Sequence, residues 1–162
     1  AYNTSAGCAA AAAVIVGQCL GARDPLRAHA GAWTAVRLAV WLAGAWGLLL
    51  FLLPFDAVDL LSPDARTTAH AVDYFSITAC SFAFMAVELV LEGAFSGAGD
   101  TLPPMLLGLP LTLLRIPAAI LLARTAGWGV AGVFWAITWT SVARGLLLAL
   151  WFARGRWVRG RA

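Results

Sequence analysis

Long apolar runs, separated only by short turns, constrain this chain more than any other feature. Residues 33–53 carry a single charge, Arg37 near the start, and a run of that length rises far enough, at about 1.5 Å per residue, to cross a hydrocarbon core of about 30 Å. Residues 130–153 repeat the pattern with Arg144 as their one charge. A soluble domain is about half apolar and about a quarter charged. Here 62% of the 162 residues are hydrophobic and 12% charged, with a mean hydropathy of +0.84. A soluble core of this length cannot absorb that excess. A bilayer can, because helices expose apolar side chains to lipid while their backbone groups bond internally. The chain therefore reads as an all-α integral membrane protein.

Five transmembrane helices are expected, at about 1–21, 30–53, 70–96, 104–124 and 130–153, followed by a basic tail at 154–162. Gly21 closes the first, and Asp24 with Pro25 supplies an N-cap and a first helical residue that needs no N–H. Ser62-Pro63 and Asp100-Thr101-Leu102-Pro103 repeat that punctuation, so Asp100 is expected to cap the fourth span. The 54–70 connector, with Asp56, Asp59 and Asp64, is expected to be partly helical along the interface.

All eleven basic residues are arginines, and the net charge is +3. Their only cluster, Arg154, Arg156, Arg159 and Arg161, follows a hydrophobic run and reads as a membrane flank, with no nucleic-acid partner. Retention of positive charge in short cytoplasmic loops places this tail and the Arg23/Arg27 turn on the cytoplasmic side. The 54–70 connector then faces outside, and Trp128 sits at the interface opposite Trp151 and Trp157. Cys8, Cys19 and Cys80 lack any paired spacing and read as packing residues. His29 and His70 stand apart from other metal-type ligands. With no nucleophile, metal cluster or phosphate loop, neither an enzyme nor a cofactor is expected.

The polar residues inside the spans carry the functional expectations. Glu88 and Glu92, four apart, share a helix face at about 6 Å. Carboxylates at that depth are costly and functional by default: they could hold a proton, coordinate sodium or attract a cationic drug. The competing reading, a water-filled vestibule or pairing with arginine, stands level for Glu88 and comes first for Glu92. Arg115, near the middle of its span, needs a counter-ion, and Glu88 is expected to provide it. Arg144 is expected to snorkel or pair rather than meet a ligand. Pro110 and Pro117 are expected to kink the fourth span, which makes Pro117 a candidate moving part.

Gly17 with Gly21, and Gly93 with Gly97, have the small-xxx-small spacing of close helix packing. Gln18 and Gly21 in one glycine turn, and Gly97, Gly99, Asp100 and Thr101 in the other, are also candidate hinge positions. Trp135 and Trp139 share a face with Val142 and are candidate lining for flat cations. Lipid contact or core packing is the blander account of both.

Four segments, GQCLGARDPLRAHA (17–30), EGAFSGAGDTLPPM (92–105), LLRIPAAILLA (113–123) and WFARGRW (151–157), come in this order and at these intervals. Together they resemble the multidrug and toxic compound extrusion (MATE) family, especially its bacterial DinF-like members, over nearly the whole chain. The resemblance implies twelve helices in two six-helix lobes around a cavity. This chain would be the C-terminal lobe from its second helix onward, partnered by a missing N-terminal lobe of the same polypeptide. It further implies a bacterial inner-membrane exporter with a cytoplasmic C-terminus, moving organic cations or other amphipathic small molecules by alternating access in antiport with H+ or Na+. Sodium-coupled NorM-like members carry an aspartate about two turns before the first glycine of the turn motif, near Met85, where this chain has no acid, and the proton-linked aspartate of DinF-like members lies in the first lobe, so the coupling ion stays unassigned. A flippase for a lipid-linked saccharide, or a non-transporting membrane subunit, are the alternatives.

Overall fold

A computed structural model describes residues 2–52, 74, 77–79, 81–125 and 127–155. The helices are α1 (Tyr2–Gly21), α2 (Pro25–Leu52), α3 (Phe82–Ala98), α4 (Leu102–Ile120), continued by a π-helical turn at Leu121–Thr125, and α5 (Gly129–Ala153). Four of them, α1, α2, α4 with its π turn, and α5, are long and apolar enough to cross a membrane. Over its described residues α3 has 17. Most of the residues at 70–81 expected to precede it lie outside the described set. So do the 54–70 connector, His70, Cys80, Trp157 and the arginines at 156, 159 and 161.

The helix ends follow from local chemistry. Asp24 caps α2 by accepting the Arg27 backbone N–H at 3.0 Å, and Pro25 takes the first helical position. The turn before it depends less on Gly21 than expected. The residue in the left-handed region is Arg23, at φ 58°, with its N–H on the Leu20 carbonyl at 3.0 Å and the Asp24 N–H on that of Cys19 at 2.9 Å. A side chain there costs on the order of 1 kcal/mol. The turn after α3 closes the same way with a glycine, Gly99 at φ 73°, which adopts that conformation freely.

Asp100 does not cap α4. Its backbone N–H completes the α3 terminus on the Phe95 carbonyl at 3.0 Å, and Thr101 occupies the cap position with no side-chain hydrogen bond. Pro103 and Pro104 explain why no cap is needed, since neither has an N–H to satisfy in the first turn. Helix α4 continues through Pro110 and Pro117, and its hydrogen-bond register changes only beyond them, at Leu121–Thr125.

The packing is inverted relative to a soluble bundle. The buried stripe of α2 is Ala28, Ala32, Val36, Ala39, Ala43 and Gly47, small residues at helical spacing. Its large residues face outward, with Trp41 79% and Leu26 83% exposed. In water an apolar surface of that kind is a liability. In lipid it is the solvated face, and the small stripe lets backbones approach for dispersion contact.

Helix α3 packs against α1, α2 and α5, whereas α4 rests on α5 and scarcely touches α3. The α1–α3 contact is the tightest. A Cβ added at Gly97 would lie 2.7 Å from the Ala13 Cα, one at Gly93 would lie 2.8 Å from the Ala9 carbonyl carbon, and one at Gly17 would lie 3.3 Å from the Gly97 oxygen. Gly21, the fourth expected packing glycine, has open space beside it. At one end an aromatic cluster joins α2, α3 and α5. The buried Phe152 ring stacks on His29 with centroids 5.5 Å apart and meets the edge geometry of Phe95 at 5.4 Å and Trp33 at 6.1 Å. The Trp33 indole N–H, which needs an acceptor in apolar surroundings, donates to His29 Nε2 at 3.1 Å.

Candidate functional site

A polar cluster lies where α3, α4 and α5 converge. Glu88 and Glu92 are one turn apart on α3 and face α5, which presents Arg144 to both. Its Nη1 lies 2.8 Å from Glu88 Oε1, and its Nη2 pairs with Glu92 Oε1. The three side chains are 17%, 29% and 21% exposed for Glu88, Glu92 and Arg144. One guanidinium thus bridges two carboxylates, leaving the triad a net negative charge.

Two glycines make the bridge possible. A Cβ at Gly145 would sit 2.7 Å from the Phe84 carbonyl oxygen, so this glycine lets α5 press against α3. A Cβ at Gly108 of α4 would sit 2.7 Å from Arg144 Nη2 and 3.0 Å from its Cζ. The guanidinium occupies space that only glycine leaves, and its Nε is buried without a hydrogen-bond partner among the described residues.

The expected ion pair between Arg115 and Glu88 is corrected by this geometry. Arg144 has taken Glu88. Arg115 donates from Nε to Thr140 Oγ1 at 2.8 Å and from Nη2 to Ser141 Oγ at 3.4 Å. Thr140 can accept because its own hydroxyl proton is directed at the Ala136 carbonyl, 2.8 Å away. The arrangement fixes α4 to α5 through hydroxyl groups, with no carboxylate on Arg115 among the described residues.

Beside these groups is a cavity of about 220 Å³. Glu88, Arg115, Arg144, Ser141 and Ser5 form its polar wall, and Tyr2, Phe82, Met85, Leu89 and Ile137 its apolar wall. Trp135 and Trp139 are not part of it. Their rings lie 6.4 Å apart on α5, and Trp139 is 64% exposed, as a lipid-facing indole would be. The turn residues Gln18, Gly21, Gly97, Gly99, Asp100 and Thr101 lie outside the cavity wall, as does Pro117.

Sequence reasoning missed Gly108, Gly145, Thr140 and Ser141. The hydroxyls had a signal, since Thr138, Thr140 and Ser141 form a polar patch in an otherwise apolar span, with Ser141 one turn before Arg144. The glycines had none, because which glycine faces an arginine depends on the neighbouring helix. Among the described residues no three His, Cys, Asp or Glu side chains converge into a group that could hold a metal.

Known proteins resemble this chain in sequence and in fold. A family model described as MatE matches residues 2–121. The chain is 32% identical over 133 residues to the multidrug resistance protein NorM of Burkholderia vietnamiensis, an alignment covering 78% of this chain and 29% of that protein. It is 25% identical over 112 residues to the probable multidrug resistance protein NorM of Thermotoga maritima, covering 68% and 24%. In fold it is similar to a solved structure of MATE in complex with MaD3S, with a TM-score of 0.83 at 21% identity over 91% of this chain and 33% of that one. It is also similar to an inward-facing multidrug resistance MATE family transporter of the MOP superfamily, with a TM-score of 0.79 at 23% identity, over 91% and 34%. The chain spans less than a third of the length of these curated relatives.

Proposed function

Because the chain belongs to the MatE family of multi-pass membrane transporters, we propose that the protein it is part of is a secondary active exporter of organic cations or other amphipathic drugs. It works by alternating access in antiport with H+ or Na+. The family match over residues 2–121 carries this reading, and the bilayer and a second lobe complete the machine. The Glu88–Arg144–Glu92 triad suits the coupling role. Two carboxylates sharing one guanidinium hold an internal cation that an incoming proton or sodium ion competes with. Neutralising either carboxylate weakens the grip of α3 on α5, which links ion occupancy to a helix contact. Positive charge retained at Arg23, Arg27 and the 154–161 tail supports a cytoplasmic C-terminus in a bacterial inner membrane.

The full-length protein in liposomes should move ethidium when a pH or sodium gradient is imposed, and the effective gradient names the coupling ion. Absence of movement under both gradients would sink the exporter reading. A Glu88→Gln variant with unaltered flux and unaltered gradient dependence would remove Glu88 from coupling.

A further inference from the structure

The cavity wall is chemically asymmetric, and the asymmetry concerns Arg115. Of the two arginines on it, Arg144 is bound by both carboxylates, while among the described residues Arg115 meets only the hydroxyls of Thr140 and Ser141. Hydroxyls satisfy N–H donors but do not neutralise a guanidinium. Both bonds use Nε and Nη2, and Nη1 has no acceptor among the described residues. The edge left over is the planar fork that binds carboxylates in bidentate fashion. Thr140 is held by its bond to Ala136, so the Arg115 head is oriented before any ligand arrives.

A cation entering this cavity competes with Arg144 for Glu88, which Arg144 already holds through Oε1, whereas an anion at the Nη1 edge of Arg115 breaks neither of the hydroxyl bonds to Thr140 and Ser141. The opposite wall, Phe82, Met85, Leu89 and Ile137, offers an apolar surface. A volume of about 220 Å³ exceeds the roughly 150 Å³ that accepts a benzene ring, which leaves room for a ring with an acidic group attached.

We propose that this cavity binds the anionic group of an amphipathic organic acid, with Arg115 as its recognition residue and Ser141 as a second donor. The proposal rests on the export reading and extends its substrate class, adding organic acids, held at Arg115, to the cations of that reading.

The test uses the full-length protein in detergent and in liposomes, with 1-naphthoate and its uncharged amide, 1-naphthamide, as probes. Wild-type protein should bind the acid at least about tenfold more tightly than the amide, the scale of a charge-assisted bidentate contact. Arg115→Gln should erase that ratio, and Arg115→Lys should retain part of it. If Arg115→Gln does not fold, the wild-type ratio and its reduction in Ser141→Ala decide the matter. Equal binding of acid and amide by the wild type, or a ratio that survives Arg115→Gln, overturns the proposal. Ethidium movement by wild-type liposomes separates the two readings: with movement but no acid preference, only the Arg115 assignment fails, and with neither, both fail.

Discussion

Helices α1 to α3 and the pair α4–α5 are held by different forces, although both are built from apolar helices. In the first group, Ala9, Ala13 and Gly17 of α1 lie against Gly93 and Gly97 of α3 so closely that a single methyl group does not fit. Its buried interior is alanine, valine and glycine with a few larger anchors such as Leu91 and Phe95. In the second group, α4 buries only 6% of its most apolar stretch and is fastened to α5 by Arg115 on Thr140 and Ser141. Helix α5 is in turn fastened to α3 by the Arg144 triad as well as by packing at Gly145. Dispersion contact between backbones resists volume change and ignores charge. Polar fastening does the reverse. Helices α1–α3 are therefore held by contacts that charge does not reach, and α4–α5 are where a change of protonation or ligand acts on the packing.

Several substitutions would break or sharpen that contrast. Arg144→Ala should have the largest effect. It leaves two neighbouring carboxylates without their cation, a loss of about 3–4 kcal/mol, the lower part of the range for a buried pair because the side chains are 17–29% exposed, visible as a lowered Tm of the purified full-length protein. Adding Glu88→Gln and Glu92→Gln to Arg144→Ala should recover much of it. If the triple variant is no more stable than Arg144→Ala, the triad is not what joins α3 to α5.

Gly97→Leu follows, at about 3 kcal/mol, the upper part of the usual range for overpacking, because its side chain would be driven into the Ala13 backbone. Tm should fall with no change in its salt dependence. Next is Thr140→Val, which removes the acceptor for Arg115 Nε and should cost about 1.5 kcal/mol. Amide exchange should then rise in 102–124 while α1–α3 stay protected; a uniform rise would argue against two separately held regions. Asp24→Ala should cost about 1 kcal/mol through the lost cap, with fraying confined to the start of α2. The smallest effect, Gly44→Ala, should be a gain of about 0.5–1 kcal/mol, because this mid-helix glycine has open space beside it. Its sign should be opposite to that of Gly97→Ala.

Much of the fold was legible because its causes are local or compositional. Asp24 followed by Pro25 is a cap whatever the rest of the chain does, and Gly93 with Gly97 predicts a close helix contact without naming the partner. The reading failed where two local rules competed. Asp100 is a good cap residue, yet it was already engaged in closing α3, and the two prolines after Thr101 removed the demand. It also failed where the answer depended on a third helix. Glu88 had two arginines within plausible reach, and the sequence supplied no means of choosing between them.

The sequence by itself determined that this chain is a set of membrane-crossing helices, because hydrophobic length and turn chemistry act residue by residue, and its four motif segments carried the resemblance to the MATE family. It also placed two carboxylates on one face of one helix. Only the tertiary structure decided which arginine they hold. Gly108 and Gly145 leave the space through which Arg144 reaches both, and the hydroxyls of Thr140 and Ser141 hold Arg115 aside. An ion pair is a matter of side-chain distance across helices, and that distance is set by how closely the backbones are allowed to approach.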